Sequence, residues 1–181
     1  MLCAAALVAS CGGSDGPSSP TPVAPTPRLL QQGSMPLPAP TADSYYFAMA
    51  AITDQATGRW EATVDWAIPT NTLWMWVANG ACTVDQFAKP ACPLQASCEC
   101  QFTVRSETAA PKPRVLSIPN APGGTRTLIV LNLGPREEAV EYSVTLTPTS
   151  IVSGGSALVT STSSTSGGRV SIGRKSGLHI P

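Results

Sequence analysis

From Arg59 onward the chain alternates apolar and polar positions, with Trp60, Ala62, Val64, Trp66 and Ile68 on one parity and Glu61, Thr63 and Asp65 on the other. A period of two marks a strand with one face in a core and one in water. The pattern returns at Val140, Tyr142, Val144 and Leu146, set against Glu141, Ser143, Thr145 and Thr147. Between them lie shorter apolar runs, Leu73 to Val77, Cys98 to Val104, Val115 to Ile118 and Thr127 to Leu133. Tyr45 to Ile52 adds a seventh candidate strand, although its Ala and Met residues also suit a helical turn. Turns are signalled at Asp54 to Gly58, Ile68-Pro69, Pro119 to Gly124 and Gly134-Pro135, where Gly permits unusual dihedrals and Pro withholds a ladder donor. No segment of this region repeats its apolar residues every 3.6 positions. The pattern predicts an all-β fold, a small antiparallel β-sandwich of about seven strands, jelly-roll-like in outline.

One run breaks the alternation. Trp74 and Trp76 oppose Leu73, Met75 and Val77, so this strand is apolar on both faces. In a two-layer sandwich only one face meets the core, and the other needs separate cover. Two outcomes are open. The indoles stand exposed as a flat platform for sugar rings or a partner protein, which makes Trp74 and Trp76 the candidate binding residues. Alternatively, the loop from Cys82 to Cys98 folds over them.

Composition divides the chain. Most of the 18 prolines and 15 glycines, with long Ser/Thr runs, lie outside a middle stretch that holds all four tryptophans. The sandwich is expected over residues 44–147, about a hundred residues, a size at which covalent staples add usefully to a small core. Residues 11–43 carry Pro17, Pro20, Pro22, Pro25, Pro27, Pro36, Pro38 and Pro40 among polar residues and read as an extended tether. Residues 148–181 form a low-complexity tail. Eleven basic and eleven acidic residues cancel, and no Lys/Arg cluster is dense enough to neutralise a row of phosphates, which argues against nucleic acid as a partner.

The N-terminus runs through apolar or small residues to Val8-Ala9-Ser10-Cys11, followed by Gly12 and the Pro-rich segment. This resembles a bacterial lipobox. The resemblance implies a signal peptide over residues 1–10, a diacylglyceryl group on the Cys11 thiol, and a protein held on a lipid bilayer in the cell envelope, with the outer membrane preferred because no Asp follows the cysteine. An apolar stretch of about nine residues is too short to span a bilayer, which needs roughly 20. With Cys3 lost in the signal and Cys11 acylated, Cys82, Cys92, Cys98 and Cys100 remain. An even number in an exported domain predicts two disulfides, with three possible connectivities. Cys98 and Cys100 share one face of a strand, so each is expected to reach Cys82 or Cys92. A four-thiolate zinc site is the alternative, but the spacing lacks a pair of CxxC hooks.

Chemistry is sparse. Gly12-Gly13-Ser14-Asp15-Gly16 matches a nucleophile-elbow pattern in form, but it follows the acylated cysteine instead of a strand. His179, the single histidine, lies in the tail and pairs with no Ser or Cys in any ordered way. Glu137-Glu138 follow Gly134-Pro135 and read as a solvated turn. No catalytic residue, cofactor motif or calcium loop emerges.

From Gly58 to Thr147 the order of elements resembles the bacterial pre-peptidase C-terminal domain. The shared features are Val64-Asp65-Trp66, the Asn-led apolar strand from Asn71 to Val77, and the closing hairpin of Thr127 to Leu133, Gly134-Pro135 and Tyr142 to Leu146. The resemblance implies a β-sandwich accessory of secreted proteins. Trp74 stands where relatives commonly carry a polar, often acidic, residue. The expectation is a non-enzymatic lipoprotein whose domain binds a polysaccharide or an envelope protein. The alternative is an accessory domain or small subunit of a secreted hydrolase or peptidase.

Overall fold

A computed structural model describes residues 24–93, 95–108, 112–149 and 170–176. In chain order the elements are β1 (Arg28–Leu37), β2 (Ser44–Asp54), β3 (Gly58–Trp66), β4 (Leu73–Asn79), α1 (Val84–Ala88), β5 (Gln101–Ser106), β6 (Arg114–Ala121), β7 (Gly124–Asn132), β8 (Glu138–Pro148) and β9 (Val170–Ser176). All ladders are antiparallel. One sheet has the order β1-β8-β3-β6 and the other β5-β4-β7-β2-β9.

The pairings explain that order. β1 pairs with β8, β2 with β7, β3 with β6 and β4 with β5, a nested set of hairpins rolled up so that consecutive pairs fall in alternate sheets. That is the jelly-roll wrap, two sheets enclosing one core. β9 stands outside it, added to the free edge of β2.

The core lies between the sheets and is built from the parity the sequence displays: Trp60, Ala62, Val64 and Trp66 of β3 meet Leu73, Met75 and Val77 of β4, Leu128 and Val130 of β7, and Val140, Tyr142, Val144 and Leu146 of β8. Each of the seven expected strands has a counterpart, with Tyr45 to Ile52 in β2, but the strand expected from Cys98 begins at Gln101. The folded unit is wider than residues 44–147, however. Arg28–Leu37, expected within the tether, is a strand whose Met35 and Leu37 are buried. Pro36 is compatible with this because β1 is an edge strand, where a missing backbone donor leaves no central ladder bond unmade. Val170–Ser176, expected within the low-complexity tail, is also a strand. Cys11, the expected signal peptide over residues 1–10 and His179 fall outside the described residues. Among the described residues no helix is long and apolar enough to cross a membrane.

Candidate functional site

β4 is apolar on both faces because the molecule has a second apolar layer. On the outer side of the five-stranded sheet, Phe47 and Met49 of β2, Trp76 and Ala78 of β4, and Ile129 and Leu131 of β7 form a cluster closed by Phe87 and the four cysteines. The cover is residues 80–100, the connection from β4 to β5. Its one helix starts at a capping box in which Thr83 Oγ1 accepts from the Gln86 N–H at 3.2 Å and Gln86 Oε1 accepts from the Thr83 N–H at 2.9 Å. A five-residue helix is marginal alone. Here its single buried side chain, Phe87, meets Phe47 edge-on at 4.7 Å and Trp76 at 5.6 Å.

Two disulfides pin this cover, Cys82–Cys100 and Cys92–Cys98. The first ties both ends of the connection together beside the sheet, and the second draws in its middle. Cys98 and Cys100 thus reach across to Cys92 and Cys82, as expected, although both lie in the connection before β5 and not on the face of a strand. Cross-links spanning 18 and 6 residues withdraw about 3 and about 2 kcal/mol of chain entropy from the unfolded state.

The exposed indole platform is therefore absent. Trp76 is fully buried, and its Nε1 donates to the Glu107 carboxylate at 2.6 Å. Trp74 is half-buried and packs edge-on against Trp76 at 6.1 Å. The physical reason is the cover: stapled down, it excludes water from apolar side chains that a two-layer sandwich would leave wet.

The open face is the outer side of the four-stranded sheet. Cross-strand rows run Gln32–Ser143–Thr63 and Ser34–Glu141–Asp65, set by the β1·β8 and β3·β8 registers. A shallow cleft of about 410 Å³ is lined there by Gln32, Gly33, Thr63, Asp65, Glu141 and Ser143, with the edge of Tyr142. The Tyr142 ring crosses Gly33, where an added Cβ would stand 3.2 Å from it. The Tyr142 hydroxyl accepts from Gln31 Nε2 at 2.5 Å, and burial pushes its pKa up. Asp65 and Glu141 are directly opposed, a costly arrangement for like charges, and the Lys112 ammonium 3.5 Å from Asp65 offsets it. The face offers hydroxyl, amide and carboxylate groups in a flat array, with the Tyr142 ring present only by its edge. This suits hydrogen bonding to a polar surface and supplies no nucleophile paired with a base.

Glu137-Glu138 is not simply a solvated turn. Glu138 is buried, and its carboxylate accepts from the Ala67 and Ile68 backbone N–H groups at 3.1 and 2.9 Å and from Asn71 Nδ2 at 3.1 Å. Asn132 joins the same hub, donating to Arg136 O at 2.7 Å and Pro38 O at 3.1 Å. The hub ties the β3–β4, β7–β8 and β1–β2 connections at one end of the sandwich. It is structural, since its acceptors are already occupied by the chain's own donors.

Arg114 is also buried. Its guanidinium lies 5.4 Å from the Trp66 ring and donates to Leu73 O at 2.7 Å, and desolvation lowers its pKa. No family model matches this chain, and no curated protein matches it either.

Proposed function

We propose that this is an envelope lipoprotein, anchored through acylated Cys11, whose jelly-roll domain binds a partner without performing chemistry. The observation that carries the proposal is the pair of disulfides closing an apolar layer in a chain that also bears Val8-Ala9-Ser10-Cys11. Such staples persist where thiols are oxidised, outside the cytoplasm. The resemblance of residues 58–147 to the bacterial pre-peptidase C-terminal domain supports an accessory role in an exported setting. With β1 taking up residues 28–37, the tether shortens to residues 12–27, a reach of about 50 Å in extended polyproline geometry.

The binding face under this proposal is the polar outer side of β1, β8 and β3, with Thr63, Ser143 and Gln32 at its centre. Trp76, fully buried, and Trp74, half-buried beside it, take no direct part. A polysaccharide or a polar envelope protein fits the donors and acceptors displayed. The second reading, an accessory subunit of a secreted hydrolase, uses the same face for an enzyme partner.

The test is twofold. Metabolic labelling with a radioactive fatty acid is expected to mark the parent and to leave the Cys11→Ser variant unlabelled and released from membranes. Envelope crosslinking is expected to capture a polysaccharide or protein with the parent, and to lose it when Thr63 and Ser143 are both changed to Lys. Equal labelling of both chains would overturn the anchor, and unchanged capture would overturn the face.

A further inference from the structure

β9 occupies a seat that reads two of its side chains. Gly173 lies opposite Phe47 in the β2·β9 ladder, and a Cβ there would stand 2.3 Å from Phe47 Cζ and 2.7 Å from Val84 Cγ1. No larger residue fits without moving a ring and the helix beside it. Two positions on, Lys175 is fully buried. Its Nζ donates to the backbone carbonyls of Phe87 and Lys89 at 2.8 Å each and lies 5.1 Å from the Phe87 ring. Both carbonyls belong to the end of α1, where carbonyl oxygens favour a cation, and Lys89 O also accepts from the Cys92 N–H at 3.0 Å. The ladder supplies backbone bonds, the glycine a close approach and the lysine a charge. This is how an added strand is recognised on a sheet edge.

The roll that presents the seat does not depend on β9 for its own pairing. β1 to β8 are paired among themselves, so removing β9 breaks none of their ladders. The linkage back to β8 is also long. Residues 149–169, 21 in number, separate Pro148 from Val170. The covalent limit for that length is about 70 Å. The crossing from β8 to the β2 edge of the same molecule is only on the order of 20 Å, given sheet and strand spacings. The length therefore permits β9 to enter the seat of a neighbouring molecule with the same contacts it makes at home. Exchange of an identical element is a low-cost route to association.

We infer that β9 is an exchangeable strand and that the groove formed by the β2 edge and the end of α1 takes the Gly-x-Lys segment of a second copy of this chain, joining lipoproteins side by side. The inference stands apart from the polar binding face and does not need it.

Tyr46 and Arg174 are partners in the β2·β9 register, which gives a direct test in the full chain. Tyr46→Cys and Arg174→Cys proteins are purified separately, mixed at high concentration with a mild oxidant and separated without reductant. A covalent dimer containing one chain of each kind is the expected result, and adding Gly173→Val to the Arg174→Cys chain is expected to abolish it. A chain carrying both cysteine substitutions reports whether β9 seats in its own molecule. If that chain crosslinks internally while the mixture yields no dimer, β9 stays at home and the inference fails. It fails equally if the dimer persists with Gly173→Val, since random collision then accounts for it, or if neither preparation crosslinks.

Discussion

Glu138 and Asn71 are joined by a 3.1 Å hydrogen bond between side chains that are both buried at one end of the sandwich. Through it the start of β8 holds the connection into β4, and with it the relative position of the two sheets. The carboxylate serves three donors at once. Replacing Glu138 with Ala removes the acceptor of two part-buried backbone N–H groups and one of the two acceptors of the Asn71 amide, which keeps Arg136 O, and a buried donor left unsatisfied costs on the order of 1–3 kcal/mol. Urea denaturation of Glu138→Ala is expected to show a loss of about 1–3 kcal/mol. A loss within error would mean that water replaces the carboxylate freely.

The two tryptophans of β4 should separate in their effects. Trp76→Ala empties a fully buried site and releases the Glu107 carboxylate, so a destabilisation of roughly 3–5 kcal/mol is expected. Trp74→Ala, at a half-buried position, is expected to cost clearly less. Thermal melts of the two variants check the ranking. Equal effects would contradict the packing described for the covered face.

Removal of the disulfides should loosen the cover before the roll. Cys82→Ser with Cys100→Ser is expected to lower stability by about 3 kcal/mol, and Cys92→Ser with Cys98→Ser by about 2 kcal/mol. The order follows from the lengths of the closed loops. Tryptophan fluorescence of the first variant is expected to shift to the red as Trp76 meets water. An unshifted spectrum would show that the cover is held without its covalent tie.

Lys175 provides a pH dependence whose sign is determined by burial. Desolvation lowers its pKa from 10.5 to about 8 in the folded chain. Below pH 8 both folded and unfolded chains carry the proton, and this group adds no slope. Between about 8 and 10.5 the unfolded chain binds the extra proton, so the contribution to stability rises with pH, by at most about 1.4 kcal/mol per unit. The neutral amine keeps two N–H donors for the two carbonyls, so the bonds survive as the charge is lost. Urea midpoints taken at intervals across this range for the parent and Lys175→Met are expected to move apart in the parent's favour as pH rises. A constant difference would mean that the amine has access to water.

β3 and β8 are legible in the residues because their faces differ: Trp60 and Val64 point in while Glu61 and Thr63 point out, and alternation records that contrast directly, whereas the other five expected strands show only as short apolar runs between turn signals. The two outer strands carry no such record. In β1 Pro36 and Gly33 hide Met35 and Leu37, while in β9 the buried side chain is a lysine, whose acceptors lie at the end of α1, far away in sequence. The turn at Glu137-Glu138 looks solvated for the same reason, since the donors that bury Glu138 come from residues 67–71. Trp74 and Trp76 leave the choice of face undecided, because both parities of β4 are apolar. Only the position of the stapled connection decides it, and the pairing of four cysteines is a property of the folded chain.

The account depends above all on the fate of one sulfur. Intact-mass analysis of the protein isolated from the cells that make it, with fragmentation of its N-terminal peptide, tests this directly. The account predicts a chain beginning at Cys11 with a diacylglyceryl thioether and with Cys82, Cys92, Cys98 and Cys100 all oxidised. A chain that retains residues 1–10, with a bare thiol at Cys11 and the other four cysteines reduced, would contradict it.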